Sequence, residues 1–225
     1  MPEPIDFYFE FASPYGYLAS TRIDAIAAAY DREVVWRPIM LGAALKMTGG
    51  GPNMNLPLKG PYLLHDVPRF ARLLDVPFKL PPVMPMNSLP ASRAYWWVYD
   101  TDRDLAEGLA QAIYHAHWGE GRDLGTPEAV AEVGATLGIA PDELVAAVQS
   151  PAVKARLKEE TDRSIERGVF GSPFFFIDGE PFWGADRLDQ VERWLRTGGW
   201  YRRGSIVGIG WSPRRSSCRS ASRQT

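Results

Sequence analysis

The chain holds a single cysteine, Cys218, near its C-terminal end. That scarcity excludes an intrachain disulfide, a Cys-x-x-Cys redox pair and a cysteine-built zinc site. Histidines number three, His65, His115 and His117. The last two stand at i and i+2, positions that do not face one another on a helix, so they do not read as a metal pair. The triplet Gly49-Gly50-Gly51 lacks the Gly-Lys-Ser/Thr ending of a phosphate loop. No apolar run approaches the length of a membrane span. The start, MPEPIDFYF, lacks the basic stretch and long apolar run of a secretory leader. The expected setting is therefore soluble, reduced and cytoplasmic.

Acidic residues are missing from the last segment. Arg202 to Thr225 contains six arginines and no acid, which leaves 19 basic against 27 acidic groups before it, a net charge of −8. A folded part this acidic argues against a nucleic-acid partner. The tail, residues 201–225, shows no sustained periodicity and reads as a disordered basic extension.

What is present fits an ordinary globular protein, with 45% apolar and 23% charged residues and a chain long enough to bury a sizeable core. Ile5, Phe7, Phe9 and Phe11 alternate with Asp6, Tyr8 and Glu10, the period of a strand. Tyr8 on the opposite face implies cover on both sides. Ala12 to Gly16 turns the chain, and Pro14 suits the first turn of a helix running to Tyr30. A second strand follows over Glu33–Ile39. The Gly/Pro/Asn loop Gly49–Pro61 leads into a helix through YLLHDVPRFARLLD, bent at Pro68. From Ala91 to Arg167 the pattern is almost wholly helical, with starts marked at Thr126-Pro127 and Ala140-Pro141. Strand character returns in SPFFFIDGEPFWG, where Asp178-Gly179 reads as a hairpin turn. An amphipathic helix closes the chain, with Leu188, Val191, Trp194 and Leu195 on one face and Gly198 as its stop.

The order β-α-β, helical block, β-β-α predicts an α/β protein: a thioredoxin-like domain with a large all-helical insertion. The discontinuous thioredoxin-like part is assigned to residues 1–41 and 168–200, and the inserted helical part to 42–167. A cleft between them is the expected ligand site.

Three short stretches carry candidate chemistry. Ser13 stands where the first strand meets its helix, as a hydrogen-bond donor to an anion or simply as an N-cap. Ser172-Pro173 directly precedes a strand. A cis bond there would turn the backbone of Ser172 outward to pair with a peptide-like ligand, whereas a trans bond would make Pro173 an ordinary strand start. Asp186, after Gly184-Ala185, lies at a helix start, as a cap or as the holder of a ligand amino group. His65 and the pair Trp96-Trp97 read as structural, and Trp118 as a residue that could edge a substrate pocket.

The stretches DFYFEFASPYGYLA, RPIMLGAALKMTGGGPN, PMNSLPASRA and VFGSPFFFIDGEPFWGADRL together resemble the 2-hydroxychromene-2-carboxylate isomerases, relatives of kappa-class glutathione transferases and of DsbA, over roughly residues 4–198. The resemblance implies glutathione as cofactor and a small aromatic carboxylate as substrate, and it suggests a homodimer. It implies that Ser13 sits beside the glutathione sulfur and that Ser172, before Pro173, pairs with the tripeptide backbone. Trp183, Gly184, Ala185 and Asp186 would hold the γ-glutamyl end. Lys46 corresponds to a carboxylate or substrate partner, Asn53 most nearly to the asparagine of the glycine loop, and Asn87 to another polar pocket position. Two departures stand out: the loop carries Gly49-Gly50-Gly51, which displaces Asn53 or Asn55, and SPYGYL replaces SPYSYL, so Gly16 offers no second hydroxyl. The implied reaction is a cis–trans isomerisation of 2-hydroxychromene-2-carboxylate and trans-o-hydroxybenzylidenepyruvate by reversible thiolate addition. A kappa-like transferase and a non-catalytic thioredoxin-like binding module are the alternatives.

Overall fold

The computed structural model describes residues 2–200; the arginine-rich tail and Cys218 lie outside the described residues. Four strands, β1 (Ile5–Phe9), β2 (Val34–Pro38), β3 (Phe174–Ile177) and β4 (Glu180–Trp183), form one sheet in the order β2-β1-β3-β4. β1 pairs parallel with β2, while β1 with β3 and β3 with β4 are antiparallel. The hairpin turn is Asp178-Gly179, both with positive φ (53° and 82°), as an Asp-Gly turn between twisted strands requires. Pro181 stands in β4, an edge strand, where its missing N–H costs no ladder bond.

The first connection contains two short helices, α1 (Pro14–Ser20) and α2 (Ile23–Ala28), where sequence periodicity suggested one. Seven helices then separate β2 from β3: α3 (Leu41–Met47), α4 (Lys59–Leu73), α5 (Leu89–Tyr99), α6 (Arg103–Tyr114), α7 (Pro127–Ala135), α8 (Pro141–Gln149) and α9 (Pro151–Glu166). Pro68 lies inside α4. The Thr126 hydroxyl accepts the Ala129 N–H at 3.2 Å and so caps α7 at the predicted start. After β4, a 3-10 turn (Ala185–Arg187) leads into α10 (Leu188–Thr197), which ends on Gly198 in the left-handed region. At the end of α6 a π turn covers His115–Gly119. Such turns rotate the following side chains out of α-helical register.

The sheet is covered on both faces. On one, Phe7, Phe9, Trp36 and Phe175 pack with residues of α5, α6 and α10 in one continuous core. On the other, Tyr8, Ile39, Val169, Phe174 and Phe176 form a smaller cluster. The Arg167 guanidinium stacks over Phe176 at 4.0 Å, and Arg37 bonds Asp6 at 2.7 Å.

The helical block is fastened to the sheet by aromatic side chains with polar heads. The Tyr95 hydroxyl donates to the carbonyl of Trp36 (2.7 Å), and the Trp96 indole N–H to that of Pro38 (3.0 Å). The Tyr114 hydroxyl donates to the Glu10 carbonyl (3.0 Å), and Trp118, from the π turn, to that of Phe11 (2.9 Å). All four side chains are almost fully buried. Each fills apolar volume while supplying a donor to a carbonyl of edge strand β2 or just past the end of β1 that is removed from water. Trp118 is thus a core residue at 1% exposure and does not edge an open pocket. Trp96→Phe removes one such donor and should lower stability by about 1–3 kcal/mol for the hydrogen bond alone. Urea unfolding measures this; an unchanged midpoint would show that the Trp96 bond does not fasten the block.

Candidate functional site

The site is built where β1 ends. Phe9 is the last strand residue, and Glu10 to Ala12 carry the chain into the turn. Ser13 is the N-cap of α1: its Oγ accepts the Gly16 N–H at 3.1 Å. The same Oγ donates its hydrogen to the carbonyl of Ser172, 3.1 Å away. The cap and the longer-range contact coexist because a hydroxyl accepts and donates at once. The Ser172–Pro173 peptide is cis, one of the two geometries the sequence left open; Met84–Pro85 is also cis.

Glu10 ties the two serines together through its backbone. Its N–H donates to Ser172 Oγ (2.9 Å), and its carbonyl accepts the Ser13 N–H (2.8 Å) as well as the Tyr114 hydroxyl. Burial pushes the Glu10 carboxyl above its ordinary value of 4.5, against the lowering effects of the Ser88 hydroxyl and the Leu41 N–H. A raised carboxyl stabilises the fold below the unfolded value, and that contribution is lost as pH climbs through the folded one.

The β4 end joins the same cluster. Gly184 N–H donates to the Pro173 carbonyl at 3.0 Å. Gly184 has φ 113°, which favours glycine, and the Asp186 carboxylate folds back over it. Trp183, 52% exposed, rests on the Gly171 backbone and meets Phe170 edge-on at 4.9 Å. Ala185 is buried, and exposed Asp186 pairs with Arg187 at 2.7 Å. Ser13, Ser172, Pro173 and the run Trp183–Asp186 are therefore brought to one edge of the sheet. A groove of about 600 Å³ opens at Ala185 and Asp186, lined also by Arg22, Phe70, Leu73, Leu74 and Asp189; Ser13 and Ser172 do not line it. It lies between α4 and the turn that starts α10.

The remaining predicted residues stand on the helical block. Lys46 is exposed in the last turn of α3, with no ion pair among the described residues. Asn53 and Asn55 form a 3-10 turn with Met54 and are exposed. The Asn87 amide is engaged within the chain, donating to the Gly125 carbonyl (3.0 Å) and accepting the Leu89 N–H (3.4 Å). None of these four has a side-chain hydrogen bond to the Ser13 cluster among the described residues. His117 is buried with Nδ1 2.8 Å from the Arg122 carbonyl, and burial pushes its pKa down; His115 is exposed.

Two residues at the site escaped the sequence reading. Tyr15 donates to Asp66 of α4 at 2.5 Å; burial and this bond push its phenol pKa up. The bond spans from the serine turn to the inserted helices. Tyr114 explains the missing hydroxyl at position 16. A Cβ on Gly16 would stand 2.4 Å from the Tyr114 hydroxyl and 3.1 Å from Ser172 Oγ. The space a side chain would take is already held by two hydroxyls.

These features define a thioredoxin-fold protein whose strand-end turn presents a serine where a thiol could stand. The family model of the DsbA-like thioredoxin domain matches residues 4–196. The 2-hydroxychromene-2-carboxylate isomerase of Sphingobium xenophagum is 32% identical over 197 residues, covering 87% of this chain and 99% of that protein. The glutathione S-transferase kappa 2 of Caenorhabditis elegans is 29% identical over 210 residues, covering 85% and 91%. The solved structure of a 2-hydroxychromene-2-carboxylate isomerase superposes with a TM-score of 0.78 at 31% identity, covering 85% of this chain and 94% of that one. The chain belongs to the DsbA-like thioredoxin family and, within it, to the 2-hydroxychromene-2-carboxylate isomerases.

Gly16→Ala should destabilise the protein by about 1–3 kcal/mol, because the buried Tyr114 hydroxyl has nowhere to move. In a Tyr114→Phe background the same change should cost much less. Thermal unfolding of the four proteins tests this, and an equal cost in both backgrounds would contradict the packing described.

Proposed function

We propose that the chain is a glutathione-dependent isomerase that interconverts 2-hydroxychromene-2-carboxylate and trans-o-hydroxybenzylidenepyruvate, or a closely related aromatic catabolite. The observation that carries this reading is the Ser13 hydroxyl, held at the strand end against a backbone carbonyl beside a cis proline, in a chain whose one cysteine lies in the tail. A site of this shape without its own thiol suits a thiol that arrives on a peptide. The reading includes a cytoplasmic setting and a homodimer.

The donor set fits glutathione. Ser172 offers backbone groups beside the cis bond to the tripeptide's main chain. The exposed Asp186 carboxylate, folded back over Gly184, suits the γ-glutamyl amino group. Lys46, exposed and with no ion pair among the described residues, suits a carboxylate, and Asn53 and Asn87 are polar groups for the cofactor or substrate. When bound, glutathione supplies a nucleophilic sulfur that can add reversibly to an unsaturated carbon and leave unchanged.

The chain's own part is to keep that sulfur ionised. The Ser13 hydrogen now rests on the Ser172 carbonyl. A peptide N–H brought to that carbonyl replaces it and frees the hydroxyl to donate to sulfur. A hydrogen bond to a charged acceptor is about twice as strong as a neutral one. The contribution of the α1 dipole is small, because the helix has only seven residues. Lys46 and the asparagines would stabilise negative charge developing on the substrate.

Wild-type protein saturated with glutathione should show thiolate absorbance near neutral pH. Ser13→Ala should raise the apparent pKa of the bound thiol by about one unit, equivalent to ~1.4 kcal/mol. Isomerisation of the chromene carboxylate should fall with it. Glutathione bound only as the thiol in the wild type would sink the proposal. Turnover of a chlorinated nitrobenzene without isomerisation would favour the transferase alternative instead.

A further inference from the structure

Glu10 is a buried ionisable group that the reading above leaves unused. Its side chain is 6% exposed, at the end of β1. One carboxyl oxygen, Oε2, accepts the N–H of Leu41, the first residue of α3, at 3.0 Å. The other, Oε1, is sealed from solvent, and the Ser88 hydroxyl and the backbone N–H groups of Phe11 and Ala12 lie around the carboxyl. An acid in such a place is costly unless the bond it makes is needed.

Helix α3 needs it. The helix has no side-chain N-cap of its own, and Ala44 is its one buried residue. Little apolar area therefore fixes its position. Its start is held by two bonds from buried side chains: Glu10 to the Leu41 N–H, and the Thr161 hydroxyl oxygen to the Met40 N–H at 3.2 Å. Lys46 lies in the last turn of the same helix. The backbone of Glu10, meanwhile, carries the Ser13 N–H and the Ser172 hydroxyl. One residue thus joins the serine turn, the cis-proline loop and the helix that bears Lys46.

We infer that Glu10 is a positioning residue: its carboxyl fixes the first turn of α3 to the strand end that carries Ser13, and so sets where Lys46 stands relative to the Ser13 hydroxyl. This rests on the assignment of Ser13 and Lys46 to glutathione binding.

The test uses two variants of the whole chain. Glu10→Gln keeps an oxygen that can accept from Leu41. Glu10→Asp keeps the carboxyl but is one methylene too short to reach. Hydrogen exchange should show the Leu41 amide less protected by about tenfold in Glu10→Asp and unchanged in Glu10→Gln. Calorimetry with glutathione should give a Kd raised about three- to tenfold in Glu10→Asp, with wild-type affinity in Glu10→Gln. Adding Lys46→Ala to Glu10→Asp should weaken binding no further than Lys46→Ala alone. Equal behaviour of the two variants in both measurements, or fully additive losses with Lys46→Ala, would overturn the inference. Wild-type protein that does not bind glutathione would instead refute the functional reading, and the exchange data alone would then decide the tie.

Discussion

The backbone of Glu10, one residue past the end of β1, is the joint on which the site depends. Its N–H, its carbonyl and its side chain each bind a different segment: the loop before the cis proline, the serine turn with α6, and the start of α3. A strand end leaves backbone groups that must be satisfied once water is excluded. Here those obligations are met by the residues that define the site, so satisfying the backbone and placing the chemistry are one arrangement. The neighbouring carbonyls of Phe11, Trp36 and Pro38 are met in the same manner by indole and phenol groups from the helical block. The insertion is therefore more than a lid over a small sheet, since its aromatic heads complete the hydrogen bonding of the strands beneath it.

Serine at position 13 gains its meaning from this frame. It caps α1 with an acceptor lone pair and keeps its hydrogen for donation. A cysteine there would bring its own sulfur; a serine brings only polarity, and the proposed chemistry borrows sulfur from a soluble tripeptide. The glycine at position 16 follows from the same crowding. The Tyr114 hydroxyl and Ser172 Oγ occupy the space that a side chain there would need.

Much of the fold was legible because its signals are local. The alternation in Ile5–Phe11, the Asp-Gly turn at 178–179, the apolar face of α10 and the proline-marked helix starts at 127 and 141 each predict one element from a few adjacent residues, and each element is present. Burial of Tyr8 on the second face of the sheet was also foreseen. Less visible were features that depend on residues far apart in the chain. Nothing adjacent to Glu10 announces what buries it, since α3 and Ser88 close over it. Tyr114 and Tyr15 look like ordinary helix aromatics until Glu10 and Asp66 are brought to their hydroxyls. The break between α1 and α2, and the π turn after α6, carry no turn residue strong enough to announce them. Ser13, Ser172, Pro173 and the run Trp183–Asp186 come from three stretches far apart in the chain that meet at one end of the sheet. Lys46, at the end of α3, and Asn53 and Asn87, between helices, stand where local sequence does not determine placement.

The most direct test of the central claim is a crystal structure of the protein soaked with glutathione. The account predicts the tripeptide sulfur within hydrogen-bonding distance of Ser13 Oγ, with the Ser172 carbonyl now accepting from the tripeptide backbone. A sulfur bound away from the end of β1, with the Ser13 hydroxyl still resting on Ser172, would contradict it.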